Sequence, residues 1–258
     1  MTEAPLLRVR GLSHAYGSRI ACSAVDVEVW PGEVLAIVGE SGSGKSTLLN
    51  CISGRMRPGA GEVLYRAKDG REVDLWQASD AQRRLLARTE LGMVHQNPRD
   101  GLRLGVSAGG NVGERLMAVG ARNYGAIRAT AREWLARVEI DVGRIDDLPR
   151  TFSGGMQQRL QIARVLVSRP RLVFLDEPTG GLDVSVQARL LDLLRSLSRD
   201  LGLAAIIVTH DLAVARLLAH RICVMRGGEV VEDGLTDRVL DDPRHPYTQL
   251  LVSSVLPP

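Results

Sequence analysis

The 258-residue sequence predicts an α/β fold. A mostly parallel core sheet would carry helices on both faces, with an antiparallel β subdomain at its N-terminal side and an α-helical subdomain inserted in its middle. Three observations lead there. Short apolar runs at residues 34–38 (VLAIV), 172–175 (LVFL) and 204–208 (AAIIV) stand among helix-compatible stretches, the pattern of strands buried on both faces. The opening third alternates in steps of two. Between Ser107 and Arg150 the apolar residues switch to a helical period.

In chain order, residues 6–12 alternate loosely, and Val25, Val27 and Val29 alternate strictly with Asp26 and Glu28 before the Pro31-Gly32 break. Residues 61–65 and 71–76 flank the turn-forming Lys68-Asp69-Gly70, which predicts an antiparallel hairpin. Ile127, Ala131, Trp134, Leu135 and Val138 follow i, i+4, i+7, i+8, i+11, a helix with one buried stripe. A helix over 184–197, with Asp183 at its N-cap, separates two of the core strands. Residues 221–225 and 229–232 form a last strand pair around Arg226-Gly227-Gly228. The tail from Asp241, with Pro243, Pro246, Pro257 and Pro258, reads as a surface extension.

Composition narrows the function. A chain of this length buries roughly 70–75% of its unfolded surface and needs no disulfide or structural metal for stability. Lys and Arg number 33 against 30 Asp and Glu, a net charge of +3, and aromatic residues are 3%. That leaves neither a base-stacking platform nor a basic stripe, so no nucleic-acid partner is expected. Cys22, Cys51 and Cys223 are odd in number and far apart, which points to buried thiols in a reducing compartment. No apolar run approaches the ~18 residues of a membrane span, so a cytoplasmic protein is expected.

The chemistry starts at residues 39–47 (GESGSGKST), directly after the 34–38 strand and before the helix-compatible 48–52. This is the G-x-x-x-x-G-K-[ST] phosphate loop in the strand-loop-helix setting its mechanism needs. Its glycines let successive N–H groups curl around an anion at a helix N-terminus. Lys45 is expected at the β- and γ-phosphates and Ser46 on Mg²⁺. Asp176 and Glu177 end the strand at 172–175. Asp176 is placed to help hold Mg²⁺, and Glu177 to orient or deprotonate the attacking water.

These residues closely resemble the ATP-binding cassette ATPases over essentially the whole chain. The resemblance rests on six elements in order: Tyr16, the loop with Gly39, Ser41, Gly42, Gly44, Lys45, Ser46 and Thr47, then Gln96, Ser153-Gly154-Gly155-Met156-Gln157, Asp176-Glu177 with Leu182-Asp183, and His210. It implies an ABC-type P-loop NTPase as one domain over 1–258. Residues 1–95 and 160–240 would form the nucleotide-binding core, 97–158 the helical signature subdomain, and 241–258 the extension. It also implies ATP and Mg²⁺, with Tyr16 stacked on adenine and Gln96 and His210 on the γ-phosphate side, Gln96 also at the metal. Ser153, by its own sequence, caps a helix whose first N–H groups Gly154 and Gly155 leave uncovered, a second anion site. In the family, that segment of one cassette closes over the nucleotide of another, with Asp183 at the interface. The implied unit is therefore a dimer, with itself or with a sister cassette. Phe152, Met156 and Gly180-Gly181 depart from the commoner family residues.

Two branches compete. Residues 245–251 (HPYTQLL) resemble peptide and nickel importer ATPases, which dock on transmembrane subunits. Residues 94–103, 106–111 (VSAGGN), 113–117 (GERLM) and 249–256 (QLLVSSVL) look more like the cassette subunits of the carbon–phosphorus lyase system. That branch implies docking on the lyase core for phosphonate utilisation, and only the importer branch would place the chain at the inner membrane. No cysteine cluster for an iron–sulfur centre is present, so cleavage of the C–P bond itself is not expected of this chain.

Overall fold

In the computed structural model, which describes residues 4–255, the polypeptide builds two sheets. The strands are β1 (Leu7–Tyr16), β2 (Arg19–Val29), β3 (Val34–Val38), β4 (Ala60–Arg66), β5 (Glu72–Asp74), β6 (Leu91–Val94), β7 (Leu172–Asp176), β8 (Ala204–Thr209), β9 (Arg221–Arg226) and β10 (Glu229–Leu235). The first sheet, in order β2-β1-β4-β5, is antiparallel. The second runs β10-β9-β3-β8-β7-β6, parallel throughout except for β10.

The helices are α1 (Lys45–Ile52), α2 (Asp80–Thr89), α3 (Pro98–Gly101), α4 (Ala108–Ala118), α5 (Tyr124–Arg137), α6 (Gly154–Leu166), α7 (Val184–Leu201), α8 (Leu212–Leu218), α9 (Thr236–Asp241) and α10 (Pro246–Val255). Their starts follow local chemistry. Ser79 and Gln82 cap α2 reciprocally, while the Ser107, Asn123 and Ser153 side chains accept N–H groups at the heads of α4, α5 and α6.

The core lies in three masses. One fills the space between the two sheets, with Val9, Val27, Leu35, Ile37 and Phe174. A second joins the other face of the parallel sheet to the helical insertion, through Val173, Ile207, Leu194, Ile162 and Trp134. A third packs Ala36, Val38, Ile222 and Val224 against α8, α9 and α10. All five residues of β3 are buried, which is why this strand reads as an unbroken apolar run.

Several expectations change. β1 continues past Leu12 to Tyr16 because Gly11 takes a φ of 56° and the ladder shifts register there, with Asp26 accepting the Gly11 N–H at 2.7 Å. The boundary placed at 158–160 falls inside α6, which runs unbroken from the helical insertion into the second core mass. Asp183 stands at the N-cap of α7, yet its carboxylate makes no capping hydrogen bond; only its carbonyl serves the first turn. The expected surface extension after Asp241 is a buried helix along part of its length: in α10, Tyr247 and Thr248 are 3% and 1% exposed. Leu256, Pro257 and Pro258 lie outside the described residues.

Candidate functional site

Parallel pairing sets the site. Val38 pairs with Thr209, Val208 with Asp176, and Leu175 with Val94. The residues that leave β3, β8, β7 and β6 therefore emerge side by side at the carboxyl edge of the sheet, where ligands sit in open α/β folds.

The loop 39–47 curls tightly. A Cβ at Gly39 would strike the Met225 carbonyl, and one at Gly44, where φ is 103°, would strike the Ala21 carbonyl, so neighbouring backbone leaves room only for glycine. The head of α1 carries no side-chain cap and no acidic residue in its first turn, which leaves its N–H groups free for an anion. Lys45 is 5% exposed. Its Nζ donates to the Gly39 carbonyl at 2.8 Å, the Glu40 carbonyl at 2.6 Å and Ser43 Oγ at 3.4 Å. Burial holds its pKa below the ordinary lysine value, opposed by the Glu177, Asp176 and Glu40 carboxylates.

Ser46 Oγ donates to Asp176 Oδ1 at 3.1 Å. Burial raises the Asp176 pKa; the Ser46 bond opposes this and the neighbouring Glu177 charge adds to it. A hydroxyl and a carboxylate oxygen thus converge beside the loop, a donor set that suits a hard divalent cation holding most of its water. Among the described residues no cluster of three His, Cys, Asp or Glu is arranged for a metal, so any cation here would depend on Ser46, Asp176 and the Gln96 amide oxygen.

Glu177 has a φ of 40°, a backbone cost of about 1–2 kcal/mol for a residue with a Cβ. The turn holds it there: its N–H donates to the Val208 carbonyl at 2.9 Å, and its carbonyl accepts the Gly180 N–H at 2.9 Å. The carboxylate is gripped from both sides. Gln96 Nε2 donates to Oε2 at 3.1 Å, and His210 Nδ1 lies 3.1 Å from Oε1, within hydrogen-bond reach. Tyr16 stands 55% exposed at the end of β1, its ring edge-on to His14 and its hydroxyl 3.2 Å from Met56 Sδ. It is an open aromatic face.

The Ser153 segment is built elsewhere. Ser153 Oγ accepts the Met156 N–H at 3.3 Å. Gly154 is exposed, and Gly155 is buried with its Cα side against Val186 of α7. Gln157 Nε2 donates to the Pro149 and Phe152 carbonyls at 3.0 and 3.1 Å. Two of the family departures work together: the Arg144 guanidinium lies 4.5 Å over the Phe152 ring and 3.6 Å from Met156 Sδ. Gly181 adopts a φ of 72°, a conformation that Cβ-bearing residues enter only with strain. Among the described residues no hydrogen bond links Ser153, Gly154, Gly155 or Asp183 to the phosphate-loop group.

Sequence reasoning missed the clamp on the chain before Gln96. The fully buried Gln161 accepts the His95 N–H at 2.7 Å and donates back to the His95 carbonyl at 3.1 Å, with Gln158 at 3.4 Å from the same carbonyl. It also missed Gln187, whose amide donates to Asp211 at 3.0 Å and ties α7 to the residue after His210. For Gln158 and Gln161 the available signal was amide side chains in the buried stripe of a helix, where apolar residues are the rule.

Comparison with known proteins identifies the family and the fold. A family profile described as ABC transporter matches residues 22–180. The phosphonates utilization ATP-binding protein PhnK of Escherichia coli strain K12 is 68% identical over 252 residues, covering 98% of each chain. The oligopeptide transport ATP-binding protein OppD of Bacillus subtilis is 38% identical, covering 97% of this chain and 72% of the relative. Among solved structures, the dimeric post-hydrolysis state of the ATP-binding cassette MJ0796 with ADP and Pi superposes with a TM-score of 0.79 at 30% identity, over 89% of this chain and 98% of that one. The Clostridium perfringens cbiO1, part of the ABC transporter complex cbiONQ, also gives 0.79 at 30% identity, over 99% and 97%.

Proposed function

The chain belongs to the ABC transporter family of ATP-binding cassettes and is an ATPase of that type, and we propose that it serves phosphonate utilisation by docking on a carbon–phosphorus lyase core. The observation that carries this is the 68% identity, over 98% of both chains, to a protein named for phosphonates utilization. A peptide import ATP-binding protein of Brucella melitensis and the Bacillus subtilis OppD stand at 38% identity. That importer reading is the alternative, and the same experiment decides between them.

In the proposed site the loop 39–47 and the head of α1 cradle the phosphates, Lys45 turns from the loop carbonyls to the β- and γ-oxygens, and Tyr16 offers its face to adenine. Ser46, Asp176 and Gln96 would hold Mg²⁺, which when bound screens the charge on the phosphates. Glu177 takes the proton of the attacking water as its oxygen bonds to the γ-phosphorus and the bond to the ADP oxygen breaks. ADP, phosphate and a proton result. Gln96 and His210 hold the Glu177 carboxylate in place for this transfer. A second cassette, another copy or a sister subunit, would supply its Ser153-Gly154 segment across the γ-phosphate with Asp183 at the seam. Binding would close the pair and hydrolysis would release it, converting turnover into movement of the core.

The test is capture of the tagged chain from cells grown on a phosphonate as sole phosphorus source, with growth scored for Lys45→Ala. Soluble lyase subunits in the capture and loss of growth are expected. Integral permease subunits in their place, or growth like the wild type, would overturn the lyase assignment.

A further inference from the structure

We propose that Tyr247, on the C-terminal helix α10, is a positioning residue for nucleotide binding, holding the start of the phosphate loop by accepting the Glu40 N–H. The two residues are 207 positions apart in sequence, and the phenol oxygen lies 3.0 Å from the Glu40 nitrogen. No comparison assigns a role to this contact.

Glu40 is the residue from which the loop is hung. Its carbonyl receives the Lys45 ammonium at 2.6 Å and the Ser43 N–H at 3.2 Å. Its N–H has no helical or strand partner, because Gly39, with a φ of 147°, turns the chain out of β3 immediately before it. Tyr247 supplies that partner. The Gly39–Glu40 peptide plane therefore joins α10 to the phosphate-binding lysine, its N–H on Tyr247 and its Gly39 carbonyl accepting the Lys45 ammonium at 2.8 Å.

The tyrosine is itself firmly held. It is 3% exposed, packs in the core mass of Val38, Val224 and Leu240, and carries the Arg226 guanidinium 4.9 Å above its ring. Glu232 fixes the approach to α10 by accepting the Arg244 and His245 N–H groups at 2.9 and 3.0 Å, and His245 Nδ1 accepts the Tyr247 N–H at 3.1 Å. Burial, reinforced by the Glu40 carboxylate and opposed by the Glu40 N–H, holds the phenol's pKa above its ordinary value, so it stays neutral across the working range. A hydroxyl this well fixed restricts the backbone it touches, and a loop held in its binding shape takes up its ligand with less loss of freedom.

The inference rests on nucleotide occupying the loop as proposed above, and its test separates the two. Tyr247→Phe keeps the ring and removes the acceptor; Leu251→Ala loosens the same helix, through a residue packed on the same core mass, without touching the loop. In the full chain, Tyr247→Phe is expected to weaken Mg·ADP binding and raise the KM for ATP about three- to tenfold, the range of one net hydrogen bond, with kcat changed less than KM. Leu251→Ala is expected to lower Tm and leave ADP affinity unchanged. Amide exchange of the wild type should find the Glu40 N–H protected, a reading that does not depend on any variant folding. Wild-type ADP affinity in Tyr247→Phe, equal weakening in Leu251→Ala, or an unprotected Glu40 amide would overturn the assignment. A wild type that bound no nucleotide would overturn this inference and the function beneath it together.

Discussion

The carboxyl edge of the core sheet and the Ser153 segment are both anion-ready, yet they are finished differently. At the sheet edge four polar side chains have partners inside the chain: Lys45 on loop carbonyls, Ser46 on Asp176, and Gln96 and His210 on Glu177. At the Ser153 segment the internal contacts hold the backbone and the flanking side chains, through Gln157 on two carbonyls, Gly155 against Val186 and Arg144 over Phe152. Gly154 and Asp183 face outward. In the proposed function the first region is the reaction centre, and the second a surface offered to another cassette. Substitutions should separate them, with turnover lost from one and association from the other.

The largest effect is expected at Glu177. Glu177→Gln keeps one oxygen for either Gln96 or His210 to hold but removes the proton acceptor, so ATP turnover should fall about 10²- to 10⁴-fold while nucleotide affinity stays within a fewfold. Steady-state hydrolysis beside equilibrium binding checks this. Near-normal turnover would remove Glu177 from the reaction and leave the sheet edge a binding site only.

Gly154→Asp probes the other region. A side chain fits there, the nearest atom to a Cβ being Leu182 Cδ2 at 3.8 Å, so folding should survive. Its carboxylate would occupy the helix N-terminus and repel an incoming phosphate. ATP-dependent self-association should drop roughly tenfold or more, about 1.4 kcal/mol, with turnover following and binding of ADP to the single chain unchanged. Sedimentation with ATP and with ADP would resolve it. Equal loss of ADP binding would mean that the two regions are one site.

The sequence carried more of the first region than of the second, and for a physical reason. Strands such as Val34–Val38 and Ala204–Thr209 are buried on both faces, so composition alone reveals them, and the phosphate loop follows β3 with its lysine and serine at fixed spacing. Local pattern also found the turn at Gly227-Gly228 and the stripe of α5. It could not bring Gln96, Glu177 and His210 together, since that depends on the order of parallel strands. Nor could it reveal that Gly155 packs on Val186, that Gln161 clamps His95, or that the proline-rich tail returns as α10 to place Tyr247 on Glu40. Each of these contacts joins residues too far apart in sequence for periodicity to register.

The smallest effect is also the sharpest test of how the sheet edge is paid for. Asp176 is a carboxylate whose pKa is raised by burial, beside Glu177 of the same sign. The folded state therefore binds a proton more tightly than the unfolded state at this position. The stability contributed by protonated Asp176 is present below its unfolded pKa and is lost as pH rises through the folded value. At neutral pH in metal-free buffer the wild type thus carries an unfavourable, partly buried charge that Asp176→Asn removes, while Asn Oδ1 still accepts the Ser46 hydroxyl. A gain of about 1–3 °C in Tm is expected, shrinking as pH falls through the carboxylate range. The stabilisation that Mg·ATP gives the wild type should disappear in the same variant. If Asp176→Asn instead melted lower at neutral pH, the carboxylate would be a structural anchor, and the distinction between a strained reaction centre and a relaxed presenting surface would fail at its own best residue.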